Sequence, residues 1–174
     1  MGDCSQFAVA PPAAHRVWAD DAASFSTYRV AALHHNMHEH PLFQMHELAR
    51  LAKELVPFSQ CRFMRHDVTP ASKIAHDALH PDGRSIDECF ERIEELNAWL
   101  ALYNIEVIPR YQALLDEIVG TMRAQIEREQ PGIFRVNGFI FITVPPSVTP
   151  FHIDRENNLW LLLHGRQTLN VWDH

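Results

Sequence analysis

Cysteine is scarce in this chain: only Cys4, Cys61 and Cys89 occur among 174 residues. Three scattered thiols exclude a disulfide framework or a zinc knuckle and point to a reducing cytoplasm. Long hydrophobic runs are also missing. No stretch reaches the roughly 18–20 uninterrupted apolar residues of a membrane span, so no membrane partner is expected. Basic residues are in deficit, with 15 Lys and Arg against 22 Asp and Glu, a formal charge of −7. That balance disfavours a general nucleic-acid binder, which neutralises phosphates with clustered cations. The N-terminus carries no address label. Gln6 stands where a myristoylation signal needs a hydroxyl residue, and the apolar stretch from Phe7 is short and interrupted by Pro11 and Pro12.

What the chain has instead is histidine, twelve in all. Protonating them adds twelve charges to a formal −7 and reverses its sign, so surface character should swing between roughly pH 7.5 and 5.5. An apolar content of 47% supplies a real core, and the length suits a single domain.

Periodicity divides the chain into a mainly helical region, 1–132, and a β-rich region, 133–174, together one α+β domain. Residues 1–27 read as an irregular arm and Tyr28 to Leu33 as a short strand, followed by a loop through His34, His35, His38 and His40 that Pro41 delimits. Leu48, Leu51, Ala52 and Leu55 predict a helix over 42–55, stopped by Pro57. Cys61 to Arg65 reads as a strand and 67–83 as a loop. Ser85 and Glu88 form a capping box, after which Ile86, Cys89, Phe90, Ile93, Leu96, Leu100 and Tyr103 fall on one helical stripe. Pro109 separates it from a second stripe through Tyr111, Leu114, Leu115, Ile118, Met122 and Ile126, ending before Pro131 and Gly132. Two packed antiparallel helices follow from these stripes, which need only a core to explain them. Beyond Ile133 the pattern changes. Residues 133–144 read as a strand buried on both faces, and 151–154, 159–163 and 167–172 as further strands, the last two joined across His164, Gly165 and Arg166.

The chemistry-bearing tripeptide is His152-Ile153-Asp154. On an extended chain, residues two apart face the same way, so imidazole and carboxylate can converge on one ion. Facial Fe(II) sites use two histidines and one carboxylate with open positions for other ligands. A histidine merely hydrogen-bonded to a nearby acid is the competing reading of the tripeptide alone.

The surroundings of the tripeptide are Thr149-Pro150-Phe151-His152-Ile153-Asp154-Arg155-Glu156-Asn157-Asn158-Leu159-Trp160, then His164-Gly165-Arg166-Gln167. This run resembles the first metal-binding segment of JmjC-like, cupin-like oxygenases dependent on Fe(II) and 2-oxoglutarate. There a Thr-Pro precedes His-x-Asp, an Asn follows the Asp by four residues, and a Gly-x-Lys turn opens the next strand. The resemblance continues through Thr168 to Asp173; Asn137 to Pro146 looks like the strand leading in, and His40-Pro41-Leu42-Phe43 is similar to the helical part of bacterial cupin-like proteins. It implies N-terminal helices packed on part of a double-stranded β-helix, a jelly roll. His152 and Asp154 would be metal ligands, Thr149 and Asn158 would hydrogen-bond 2-oxoglutarate, and a protein side chain or small molecule would be hydroxylated or demethylated.

Two departures accompany the resemblance. Gln167 stands where the family's lysine pairs with the far carboxylate of 2-oxoglutarate, so a neutral hydrogen bond replaces a charge-assisted one. The family's distal histidine ligand comes from a strand well beyond Asp173; His164 and His174 are the only later histidines. A jelly roll needs about eight strands, and five or six are legible here. Incompleteness at the C-terminus, or completion by a second copy in a homodimer, is the expectation. The alternatives are a non-catalytic cupin-like binding module, in which Gln167 marks a lost cosubstrate site, and a helical interaction domain that dimerises through its β-part. His34, His35, His38 and His40 with Glu39, and His76 and His80 around Asp77, are weaker metal candidates without recognised ligand spacing. Cys61 and Cys89 read as buried thiols.

Overall fold

A computed structural model describes residues 14–23, 25–64, 76–77, 83–95 and 99–171. The chain opens with β1 (Val17–Trp18), paired antiparallel with β2 (His34–His35). Two 3-10 turns, Met37–Glu39 and Pro41–Phe43, lead into α1 (Met45–Leu55). β3 (Cys61–Met64), β4 (His76–Asp77), α2 (Ile86–Glu91), β5 (Leu100–Leu102), α3 (Pro109–Glu129) and β6 (Ile140–Ile142) follow. The second sheet has the order β4-β3-β5-β6, antiparallel throughout.

The two long helices form where periodicity places them. α1 buries Leu48, Leu51, Ala52 and Leu55. In α3, Pro109 occupies the first turn, where its missing N–H has no helical partner to lose. Tyr111, Leu114, Leu115, Ile118 and Met122 are then buried, and the helix ends ahead of Gly132, which takes a positive φ of 87°. Both helices share one buried core with the larger sheet, from which Cys61, Phe63, Leu100, Leu102 and Ile140 enter it. A buried-edge ion pair ties them: Arg110 donates from Nη1 and Nη2 to the Glu54 carboxylate at 2.7 and 3.2 Å. This guanidinium holds the Glu54 carboxyl below the usual range.

Several local expectations are corrected. The capping box is present, with Ser85 Oγ accepting from Glu88 N at 3.2 Å and Glu88 Oε2 accepting from Ser85 N at 2.8 Å. The helix it starts stops at Glu91, however, and Leu100 and Tyr103 are not on it. Residues 100–102 are instead the strand between β3 and β6, buried on both faces. A short apolar run fits either structure by composition, and ladders on both sides decided for a strand. The predicted pair of antiparallel helices from these stripes is therefore not the architecture.

Residues 28–33 are not a strand either. A turn at 27–29 is held by Glu129, whose Oε2 accepts from Thr27 N (2.7 Å), Thr27 Oγ1 (2.9 Å) and Ser26 Oγ (3.1 Å). The loop through His34 to Pro41 contains β2 and a 3-10 turn, and α1 begins at Met45 rather than Leu42. Arg65, the end of a predicted strand, and most of the predicted loop over 67–83 lie outside the described residues.

The largest correction is in the β-rich region. Of residues 133–144 only Ile140–Ile142 pair, against β5. Residues 151–154, 159–163 and 167–171 run without a ladder among the described residues, and Trp172 lies outside them. A strand needs a neighbour to take its N–H and C=O groups, and β6 is the last member of the described sheet. The fold is thus mixed α and β, with three helices, two small antiparallel sheets and no closed barrel among the described residues. No described helix is long and apolar enough to cross a membrane.

Candidate metal-binding segment

The segment carrying His152 and Asp154 is pinned at both ends. Pro150 is fully buried between exposed Thr149 and Phe151. At the other end, Asn157 Nδ2 donates to Gln130 Oε1 at 2.7 Å, and Gln130 Nε2 donates to Thr27 Oγ1 at 3.0 Å. The chain thereby hangs from the C-terminal end of α3, beside the turn gathered by Glu129. A bend at residues 155–156 lies between the anchors.

Within this frame three side chains meet. His152 Nδ1 lies 2.8 Å from the Pro150 carbonyl oxygen, an acceptor with no proton to give. The ring proton therefore belongs on Nδ1, and the Nε2 lone pair is left outward. That nitrogen is 3.6 Å from Asp154 Oδ2. Asn158 Nδ2 donates to the same oxygen at 2.6 Å. Imidazole and carboxylate each retain exposed surface, 39% and 49% of the side chain, so the approach is open to a third body. A histidine that donates one ring N–H to a backbone carbonyl and presents the other nitrogen beside a hydrogen-bonded carboxylate is the arrangement that orients metal ligands.

The remaining predicted residues are placed apart. Thr149 and Gln167 are exposed, and no described hydrogen bond links either to His152 or Asp154. Gln167 follows the turn at Gly165, whose φ is 83°. His164 is exposed at that turn, and His174 lies outside the described residues. Gln130 and Asn157 were not singled out by sequence; an amide at a helix end and another far along the chain give no joint signal until they touch.

Among the described residues no group of three or more His, Cys, Asp or Glu side chains is placed to hold a metal ion. Of the histidines of residues 34–40, His34 Nε2 sits 2.7 Å from Asp20 Oδ1, and His40 lies edge-on to His15, with ring centroids 4.7 Å apart. His80 and the side chains of His76 and Asp77 lie outside the description. Cys61 and Cys89 are free and buried; burial pushes the Cys61 thiol up to about 11 and raises Cys89 as well, keeping both protonated. Comparisons with protein-family models, curated proteins and solved structures find no match to this chain.

Proposed function

We propose that residues 149–167 are the first metal-binding segment of a JmjC-like or cupin-like oxygenase that uses Fe(II) and 2-oxoglutarate to oxidise a protein side chain or a small molecule. The observation that carries this reading is the orientation of His152, locked by the Pro150 carbonyl so that Nε2 faces Asp154 at 3.6 Å. Donors bound to one ion at about 2.0–2.2 Å stand near 3 Å from each other when adjacent. A side-chain adjustment of a fraction of an ångström would bring this pair to that spacing, so the donor set fits two of three facial positions. Bound there, Fe(II) would supply the oxidising chemistry.

The chain's own residues have definable tasks in this reading. His152 gives a neutral nitrogen lone pair and Asp154 a charge that offsets the cation. Asn158 holds Asp154 Oδ2 and so sets which carboxylate oxygen turns toward the ion. Thr149 and Gln167 contact 2-oxoglutarate, Gln167 without the charge that a lysine would bring. The alternation along residues 159–163, with Leu159, Leu161 and Leu163 leaning on the core while Trp160 and Leu162 are exposed, supports a jelly-roll strand whose ladder partners complete the barrel. A second copy of the chain could furnish them. Buried free thiols at Cys61 and Cys89 accord with a reducing cytoplasmic setting.

Two protein ligands hold iron weakly, so this chain should bind Fe(II) without 2-oxoglutarate turnover. Anaerobic Fe(II) titration followed by imidazole NMR tests the site: the first ring to broaden should be His152. Asn158→Ala should weaken binding about ten- to hundredfold, and His152→Ala should abolish it. Broadening confined to His34, His35, His38 or His40, or tight stoichiometric iron in the His152→Ala variant, would refute the assignment. In the iron-loaded protein, Gln167→Lys should tighten 2-oxoglutarate by about ten- to hundredfold, the worth of a charge-assisted hydrogen bond. No gain would remove Gln167 from the cosubstrate site.

A further inference from the structure

The turns between β2 and α1 are built on two histidines used in the same unusual way. His35 Nδ1 accepts from the backbone N–H of Met37, and His40 Nδ1 accepts from the backbone N–H of Leu42, each at 3.2 Å. In both, the ring nitrogen accepts from the N–H two residues on, as an Asx side chain does: His40 is the N-cap of the turn Pro41–Phe43, and His35 stands one residue ahead of Asn36, the N-cap of Met37–Glu39. Only an imidazole lacking a proton on Nδ1 can accept this bond. The ring proton then sits on Nε2 in both.

We propose that His35 and His40 are paired acid-sensitive latches: neutral, they hold the two turns; protonated, they release them. Protonation at Nδ1 sets an N–H against the N–H of Met37 or Leu42, turning each cap from attraction to repulsion.

The groups facing these rings act in both directions. His35 meets His38 from its own segment, with centroids 6.2 Å apart, and the neutral Val17 backbone across β1. His40 meets His15 from the arm ahead of β1 and Phe43 from the following turn, while from α3 the Glu117 carboxylate stands 4.0 Å from Nε2. Burial first, and then the neighbouring histidine, lowers the pKa of each ring, with Leu162 partly opposing for His35 and Glu117 for His40. A lowered folded value makes each contribution fully present above the ordinary 6.5 and lost as pH falls through the folded value. The loss amounts to up to about tenfold per histidine for each pH unit in that window.

Imidazole nitrogen NMR on the unaltered chain should show an unprotonated Nδ1 on both rings near neutral pH, with half-protonation below 6.5. Amide exchange, corrected for its intrinsic pH dependence, should lose protection at Met37 and at Leu42 as pH falls from 7.5 to 5. Asparagine places a carbonyl oxygen where Nδ1 sits and cannot be protonated in this range. His35→Asn should therefore keep Met37 protected at acid pH while leaving Leu42 sensitive, and His40→Asn should do the reverse. A protonated Nδ1 at neutral pH, or unchanged acid sensitivity of the capped turn in its Asn variant, would overturn the proposal. Because the tautomer and titration are read on the unaltered chain, the proposal stays testable if a variant misfolds.

Discussion

Replacing Tyr111 with alanine is expected to lower stability by about 3–5 kcal/mol, the usual loss for truncating a fully buried aromatic ring. Tyr111 is the largest completely buried side chain among the described residues, at 0% exposure. Its ring enters the core where α3 crosses the approach to α1, and the Arg110 guanidinium lies 5.1 Å from its centroid. Its hydroxyl donates to the Leu42 carbonyl at 2.8 Å, fastening α3 to the 3-10 turn ahead of α1. Tyr111→Phe keeps the ring and orphans that carbonyl, so about 1–3 kcal/mol should be lost. The gap between the two variants in urea unfolding isolates packing from hydrogen bonding. Equal losses would show that the hydroxyl, and not the ring, carries the site.

The same phenol predicts an alkaline limit. Burial, reinforced by Glu47 and Glu54 and opposed by Arg110, pushes its pKa up to about 12 from 10.0. Because the folded value is raised, this stabilising term is complete below pH 10 and disappears as pH rises through 12. Ultraviolet titration should find this tyrosine protonated until the protein unfolds. The Phe variant should lose less stability between pH 10 and 12 than the unaltered chain.

Gly138→Ala is the second large effect, expected to cost about 1–3 kcal/mol by overpacking. A methyl at this position would lie 2.6 Å from Ile105 Cγ1, 2.8 Å from Ile105 Cδ1 and 2.8 Å from Leu115 Cδ1. Ile105 is 2% exposed and Leu115 9%, so neither can swing into solvent. The backbone cannot retreat easily either: Ile105 N donates to the Gly138 carbonyl at 3.0 Å, and Gly138 N donates to Glu106 Oε2 at 3.1 Å. Combined with Ile105→Ala, the added methyl should occupy part of the vacated volume. The double variant should then be more stable than the sum of the singles by about 1 kcal/mol or more. Strict additivity would show that Gly138 is kept for backbone conformation and not for this close approach. The position matters beyond its own contacts, since it holds the chain that runs through β6 toward His152.

The features that were legible in the sequence are those whose energetics close within a few residues. The stripe from Tyr111 to Met122, the stripe from Leu48 to Leu55, and the Ser85–Glu88 capping box each depend on neighbours three or four positions away. Helical geometry supplies those neighbours whatever the rest of the chain does. His152 and Asp154 belong to the same class. Two positions apart on an extended chain, they reach the same side, and the Pro150 carbonyl that orients the ring is equally local.

Tertiary structure decided the rest. Residues 99–103, Trp-Leu-Ala-Leu-Tyr, have a composition compatible with helix or strand, and only the presence of β3 and β6 on either side selects the strand. Thr27 turns because a carboxylate from the far end of α3 gathers its donors. Asn157 is fixed by Gln130. Each of these depends on a partner more than 25 residues distant, which periodicity cannot name. The strand-like pattern over residues 159–163 shows the same division from the other side: alternation settles which side chains turn inward, while a ladder requires a second chain segment at the spacing of a hydrogen bond.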